Sequence, residues 1–113
     1  MSLQSVCKLT DILPDTGVCA LVEGQQVAVF HIKNGNESAL YAISNHDPFS
    51  GANVLSRGMV GGTGEAVYVA SPIYKQRFNL ATGECLDDET VSVESFAAEL
   101  DGDQVMVGVK EVA

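Results

Sequence analysis

The sequence predicts an all-β sandwich or barrel in a single domain, on three observations. Short runs of β-branched and aromatic residues recur along the chain, Gly- and Asn-containing turns separate them, and no stretch carries the periodicity of a long amphipathic helix. A length of 113 residues suits one modest core, so residues 1–113 are expected to form one domain. Hydrophobic content of 46% with 19% charged residues is ordinary for a compact soluble protein and argues against disorder.

Taken in order, Ser5 to Leu9 is short and mixed, as an opening edge strand would be. Thr10 to Gly17 reads as turn and loop, broken by Pro14 and Gly17. Val18 to Val22 is the next strand, and the Glu23-Gly24 turn leads into Val27 to Lys33. Asn34-Gly35 is the strongest short hairpin signal, because both residues tolerate positive φ, and Ala39 to Ser44 supplies the return. Residues 45 to 64 break the rhythm: one loop runs from Asn45 to Asn53, and Gly58, Gly61, Gly62 and Gly64 suggest another. So much loop in a small domain implies a functional or wrapping role.

Ala66 to Ala70 returns to strand and runs into Ser71-Pro72. Arg77 to Leu80 and Glu84 to Leu86 are expected as hairpin arms around Ala81-Thr82-Gly83. Val91 and Val93 alternate as in a strand, whereas Ser95 to Leu100 suits a helical turn. Asp101-Gly102 turns a last hairpin, and Gln104 to Lys110 sets Val105, Val107 and Val109 on one face.

A net charge of −9 argues against nucleic acid and against an anionic membrane surface, since both require clustered Lys and Arg. Apolar runs such as Val27 to Phe30 are too short to span a bilayer, and the Met1 to Gln4 start lacks a basic, apolar leader, so cytoplasm is the expected location. Cys7, Cys19 and Cys85 form no paired motif and read as structural, with Cys19 expected in the core.

The stretch Ser71-Pro72-Ile73-Tyr74-Lys75-Gln76-Arg77-Phe78-Asn79-Leu80-Ala81-Thr82-Gly83 resembles the second cluster-binding loop of a Rieske iron–sulfur domain. That family pattern runs Cys-Pro-x-His-x-x-x-Phe-x-Leu-x-x-Gly. Here Ser71 stands for the cysteine and Tyr74 for the histidine. The segment Asp47-Pro48-Phe49 through Leu55-Ser56-Arg57-Gly58 resembles the first loop with one inserted residue, so that Asp47 replaces cysteine and Phe49 replaces histidine. A rival frame takes Ser44-Asn45-His46 as the degenerate Cys-x-His, at a poorer spacing; neither frame contains a cysteine.

A Rieske centre holds one iron by two thiolates and the other by two imidazoles. Sulfide-bridged iron favours soft donors, Phe49 offers no lone pair, and a serine hydroxyl resists deprotonation. The resemblance therefore implies a Rieske-like β-sandwich or barrel without a cluster or other metal in this chain. Phe49 and Tyr74 have the bulk to fill the vacated volume, or else are simply exposed loop aromatics.

Within that family the loops are most similar to those of the small subunits of assimilatory NAD(P)H-dependent nitrite reductase, through Asn45-x-Asp47-Pro48-Phe49-Ser50, Leu55-Ser56-Arg57-Gly58 and Ser71 to Cys85. The resemblance implies a subunit with no catalytic residues of its own, acting with a large subunit whose FAD, siroheme and 4Fe-4S cluster reduce nitrite to ammonium. The competing classes are a degenerate Rieske-like interaction module of another oxidoreductase and an electron-carrying ferredoxin; absence of all four ligands argues against the second.

Other candidates are weaker. Gly61-Gly62-Thr63-Gly64-Glu65 lacks the Gly-Lys-[Ser/Thr] of a phosphate loop, His31 sits in an alternating strand, and His46 has no nucleophile at a recognisable spacing. The acidic residues Asp87-Asp88-Glu89, Asp101 and Asp103 read as solvated turns. Of six Lys and Arg residues, Arg57, Lys75 and Arg77 belong to the two loops. They are the expected partner-docking set, unless nearby carboxylates neutralise them.

Overall fold

Val27-Ala28-Val29-Phe30 is apolar at every position, and all four residues are completely buried. A strand with that pattern has to be covered on both faces. The computed structural model, which describes residues 3–34, 37–62 and 67–110, covers it with two hydrophobic cores. Val27 and Val29 pack with Ile12, Val22, Phe96, Val105 and Val107. Ala28 and Phe30 point the other way, onto Leu55, Val69, Phe78 and Leu80.

The strands among the described residues are β1 (Gln4–Lys8), β2 (Thr16–Val22), β3 (Gln25–Asn34), β4 (Glu37–Ser44), β5 (Met59–Gly62), β6 (Val67–Ala70), β7 (Arg77–Asn79), β8 (Ser95–Asp101) and β9 (Gln104–Val109). Six of them form an antiparallel sheet in the order β1-β9-β8-β4-β3-β2, curled around the first core. The other three form the sheet β5-β6-β7, which covers the second core. The all-β expectation holds, and β1 is an edge strand as its mixed pattern implied. Glu23 and Gly24 both adopt positive φ, at 48° and 81°, to turn β2 into β3. β3 pairs with β4 up to Asn34 and Glu37; the Asn34-Gly35 turn itself lies partly outside the described residues.

Three local expectations are corrected. Met59 to Gly62 is a strand rather than loop, because its glycines serve close approach: a Cβ on Gly61 would lie 2.6 Å from the Tyr68 ring. Ser95 to Leu100 is strand β8 rather than a helical turn, because it is paired along its length with β9. Its local helical preference gives way to a ladder that closes around Val105 and Val107. Cys19 is exposed, since β2 alternates Val18, Ala20 and Val22 inward with Cys19 and Leu21 outward. Gly64 and Ala66 fall outside the described residues.

The second core positions the functional end of the molecule. Leu55 from the first Rieske-like loop, and Phe78, Leu80 and Cys85 from the second, are all buried in it against β3 and β4. Gly83 closes the second loop at φ +82°, where a Cβ would lie 2.0 Å from the Val93 carbonyl oxygen. Replacing Phe30 by Ala is expected to cost about 3–5 kcal/mol by urea denaturation, because it opens a cavity under both loops. A loss below about 1 kcal/mol would show that the two loops do not share this support.

Candidate functional site

The first loop is organised by Asn45, which is 2% exposed. Its Oδ1 accepts from the Ser56 N–H at 2.7 Å, and its Nδ2 donates to the Asn53 carbonyl at 3.1 Å and to Gln26 Oε1 at 3.2 Å. One side chain thus ties both ends of the loop to the start of β3. Within that frame the Asp47 N–H donates to the Ala52 carbonyl, and the Gly51 N–H returns to the Asp47 carbonyl, both at 2.8 Å. The second loop makes a tight turn. Ser71 N–H donates to the Gln76 carbonyl at 2.9 Å, and Lys75 N–H to the Ser71 carbonyl at 3.1 Å.

The side chains at the two cysteine positions meet. Asp47 and Ser71 are both completely buried, and Ser71 Oγ donates to Asp47 Oδ2 at 2.5 Å. Ser50 Oγ donates to the same oxygen at 3.0 Å, and the Phe49 N–H to Oδ1 at 3.0 Å. Ser71 Oγ in turn accepts from the Ile73 N–H at 3.2 Å. Burial alone pushes the Asp47 carboxyl up, but the hydrogen bonds from Ser71, Phe49 and Ser50 together outweigh it and hold the group below its ordinary value. The buried anion is therefore satisfied by donors from both loops, with the bond from Ser71 the short, charge-assisted one.

This donor set does not fit a 2Fe-2S cluster. The two atoms that would replace thiolates share a proton with each other, Phe49 supplies no donor, and Tyr74 points its ring into solvent at 59% exposure. No group of three or more His, Cys, Asp or Glu side chains suited to a metal ion occurs among the described residues. The two aromatic replacements divide. Phe49 packs on the second core with its ring centroid 6.2 Å from that of Phe78, whereas Tyr74 stands outside it.

The three loop cations also divide. Arg77 is held by Asp87, with Nη2 2.8 Å from Oδ1 and Nε 3.2 Å from Oδ2, while its backbone N–H reaches Oδ2 at 2.8 Å. Its guanidinium lies over the Tyr68 ring at 5.5 Å, and its hydrogen bond keeps the Asp87 carboxyl below the usual range. Arg57 and Lys75 are exposed, and neither pairs with a carboxylate among the described residues. Lys75 adopts φ 68°, so the loop tip is bent sharply through a non-glycine residue.

The remaining candidates are structural. His31 is 6% exposed and bridges the Ile12 carbonyl and Ser38 Oγ, each at 3.0 Å. His46 is exposed and bonded to Asn53 Oδ1 at 3.0 Å. Of Gly61 to Glu65, the first two residues lie in β5 and the rest fall outside the described residues. The exposure of Met59 and Ile73 beside the loop cations was not anticipated from sequence, where apolar residues next to glycine and proline carry no periodic signal.

A two-sheet β fold with two facing loops at one end is the arrangement of iron–sulfur domains of the Rieske type, and the comparisons agree. The chain belongs to the Rieske-like [2Fe-2S] domain family, whose model matches residues 2–108. It is 50% identical to the NADH nitrite reductase small subunit of Salmonella typhimurium over 95 residues, 84% of this chain and 86% of that one. The NMR structure of the Escherichia coli protein NirD superposes with a TM-score of 0.85 at 44% identity, covering 95% of this chain and 96% of that chain. A third relative is built differently. The NAD(P)H nitrite reductase large subunit of Klebsiella oxytoca contains a stretch 35% identical over 109 residues, covering 96% of this chain but 11% of the large subunit. Within the Rieske-like family the chain thus falls with the nitrite reductase small subunits.

Replacing Asp47 by Ala strands three donors in the interior, and should cost roughly 2–4 kcal/mol at neutral pH. The folded carboxyl ionises below its ordinary value of 3.8, so its contribution is complete above that pH and is lost as pH falls through the lower folded value. The stability gap between wild type and Asp47→Asn should therefore narrow steadily on acidification, as followed by thermal unfolding. A gap independent of pH would mean that Asp47 is not ionised in the fold.

Proposed function

We propose that this chain is a cluster-free small subunit of NAD(P)H nitrite reductase, acting in the cytoplasm with a large subunit that carries the redox centres. The observation that carries the cluster-free reading is the buried hydrogen bond from Ser71 to Asp47 at the two positions where the Rieske pattern has cysteines. Kinship with NADH nitrite reductase small subunits supports the assignment to nitrite reduction. The Klebsiella oxytoca relative supports a direct large-subunit partner, because there a domain like this one is part of the large subunit's own chain.

In this reading FAD, siroheme and a 4Fe-4S cluster belong to the large subunit, and the 113 residues form one domain that takes no electron itself. The ferredoxin alternative requires thiolate and imidazole donors that the two loops do not offer. No described helix is long and apolar enough to cross a membrane, which accords with a partner met in solution. The net charge of −9 likewise disfavours nucleic acid as a partner.

Two measurements test the proposal. Purified protein should be colourless and contain no stoichiometric iron or acid-labile sulfide; a visible iron–sulfur absorption band that tracks protein concentration would refute the cluster-free reading. Co-expression with the large subunit should raise nitrite-dependent NAD(P)H oxidation above that of the large subunit alone. Equal rates, with no complex recovered, would remove the small-subunit role.

A further inference from the structure

Exposed apolar side chains gather at the loop end of this acidic protein, beside Arg57 and Lys75, two loop cations that no described carboxylate neutralises. Met59 is 78% exposed at the start of β5, directly after the turn that presents Arg57. Together they form a ridge between two grooves. One, of about 320 Å³, is lined by Arg57, Met59, Ala70, Ser71, Pro72 and Lys75. The other, of about 540 Å³, lies between the Arg57–Met59 ridge and the Asp15–Gly17 segment at the start of β2. Beyond the first groove stand Ile73 and Tyr74, at 44% and 59% exposure. Leu13, 70% exposed, lies two residues before Asp15 beside the second.

Resting on the small-subunit reading above, we propose that this ridge and its two grooves are the docking surface for the large subunit, and that the matching surface there is apolar with a carboxylate rim. Exposed apolar side chains grouped with Arg and a tyrosine have the composition of a protein contact, in which Met, Tyr and Arg are enriched. Charge selects the partner. A chain of net charge −9 repels acidic surfaces at long range, so its approach to a carboxylate rim has to be led by a local exception, and Arg57 and Lys75 provide one. A second copy of the chain fits less well, because a two-fold contact would set these cations and the same net charge against themselves. The presence of a similar domain inside a large-subunit chain gives an independent reason for choosing that occupant.

The surface also accounts for Tyr74. At the position of a Rieske histidine it neither fills the space of a cluster nor packs on the second core, and its ring is free to enter a pocket on a partner. Arg77, by contrast, is committed to Asp87 and is not part of the docking set.

The experiment measures affinity of the full chain for the large subunit by calorimetry, at low and high salt. The Arg57→Glu/Met59→Glu double variant should bind at least about tenfold more weakly, and wild-type affinity should fall as salt rises. Lys75→Gly removes a cation while relieving the positive φ, so it should fold at least as stably and still bind more weakly. Leu21→Glu, at an exposed site on β2 outside both grooves, should bind as wild type does. Wild-type affinity in the double variant, or an equal loss in Leu21→Glu, would overturn the surface while leaving the subunit reading intact. Failure of the wild-type chain to bind the large subunit would overturn both. A wild-type homodimer disrupted by the same double variant would assign the surface to a second copy instead.

Discussion

A carboxylate with no exposed surface must be surrounded by donors or it will not stay ionised. At Asp47 those donors come from both loops: a hydroxyl from Ser71, and a hydroxyl and an N–H from its own turn. The rest of the loop end depends on this contact. In a Rieske domain the two loops are held together by a metal cluster bound to both. Here one short hydrogen bond between the same two sequence positions joins the loops. The frame of Pro72, Phe78, Leu80 and Gly83 is intact. Those residues shape and bury the loop, whatever joins it to its neighbour.

The contact works only because the second core fixes the loops beforehand. Leu55, Phe78 and Leu80 are buried against Phe30 and Ile43, and Asn45 anchors the first loop to the start of β3. A hydrogen bond tolerates little error in distance, so two loops on separate elements can share one only if the sheets beneath them hold their positions. Phe49 contributes on the same side by packing near Phe78. With the interior closed in this way, Tyr74, Lys75 and Ile73 project outward from a supported turn.

Much of the architecture was legible before folding was considered. The apolar run at Val27 to Phe30 marks a doubly covered strand, the Glu23-Gly24 turn marks a hairpin, and alternation of Val105 and Val107 marks the inward face of β9. Two of the three corrections share one cause. Met59 to Gly62 and Ser95 to Leu100 have weak or contrary local preferences, and became strands because a neighbouring strand offered a ladder. Cys19 looked like core because its neighbours are apolar, but a strand covered on one face turns alternate side chains outward.

The candidate site divides along the same line. Sequence alone determined that the Rieske frame is present and that the donors at positions 47, 49, 71 and 74 are wrong for iron and sulfide, because the donor chemistry of a side chain does not depend on its surroundings. Only the tertiary structure decided how the two loops are joined. It brought Asp47 and Ser71 together across 24 positions of chain, packed Phe49 partly buried on the second core while leaving Tyr74 exposed, and drew Arg77 to Asp87 while leaving Arg57 and Lys75 beside Met59. Those outcomes depend on distances between elements remote in sequence, which are set by the packing of two sheets on β3 and β4.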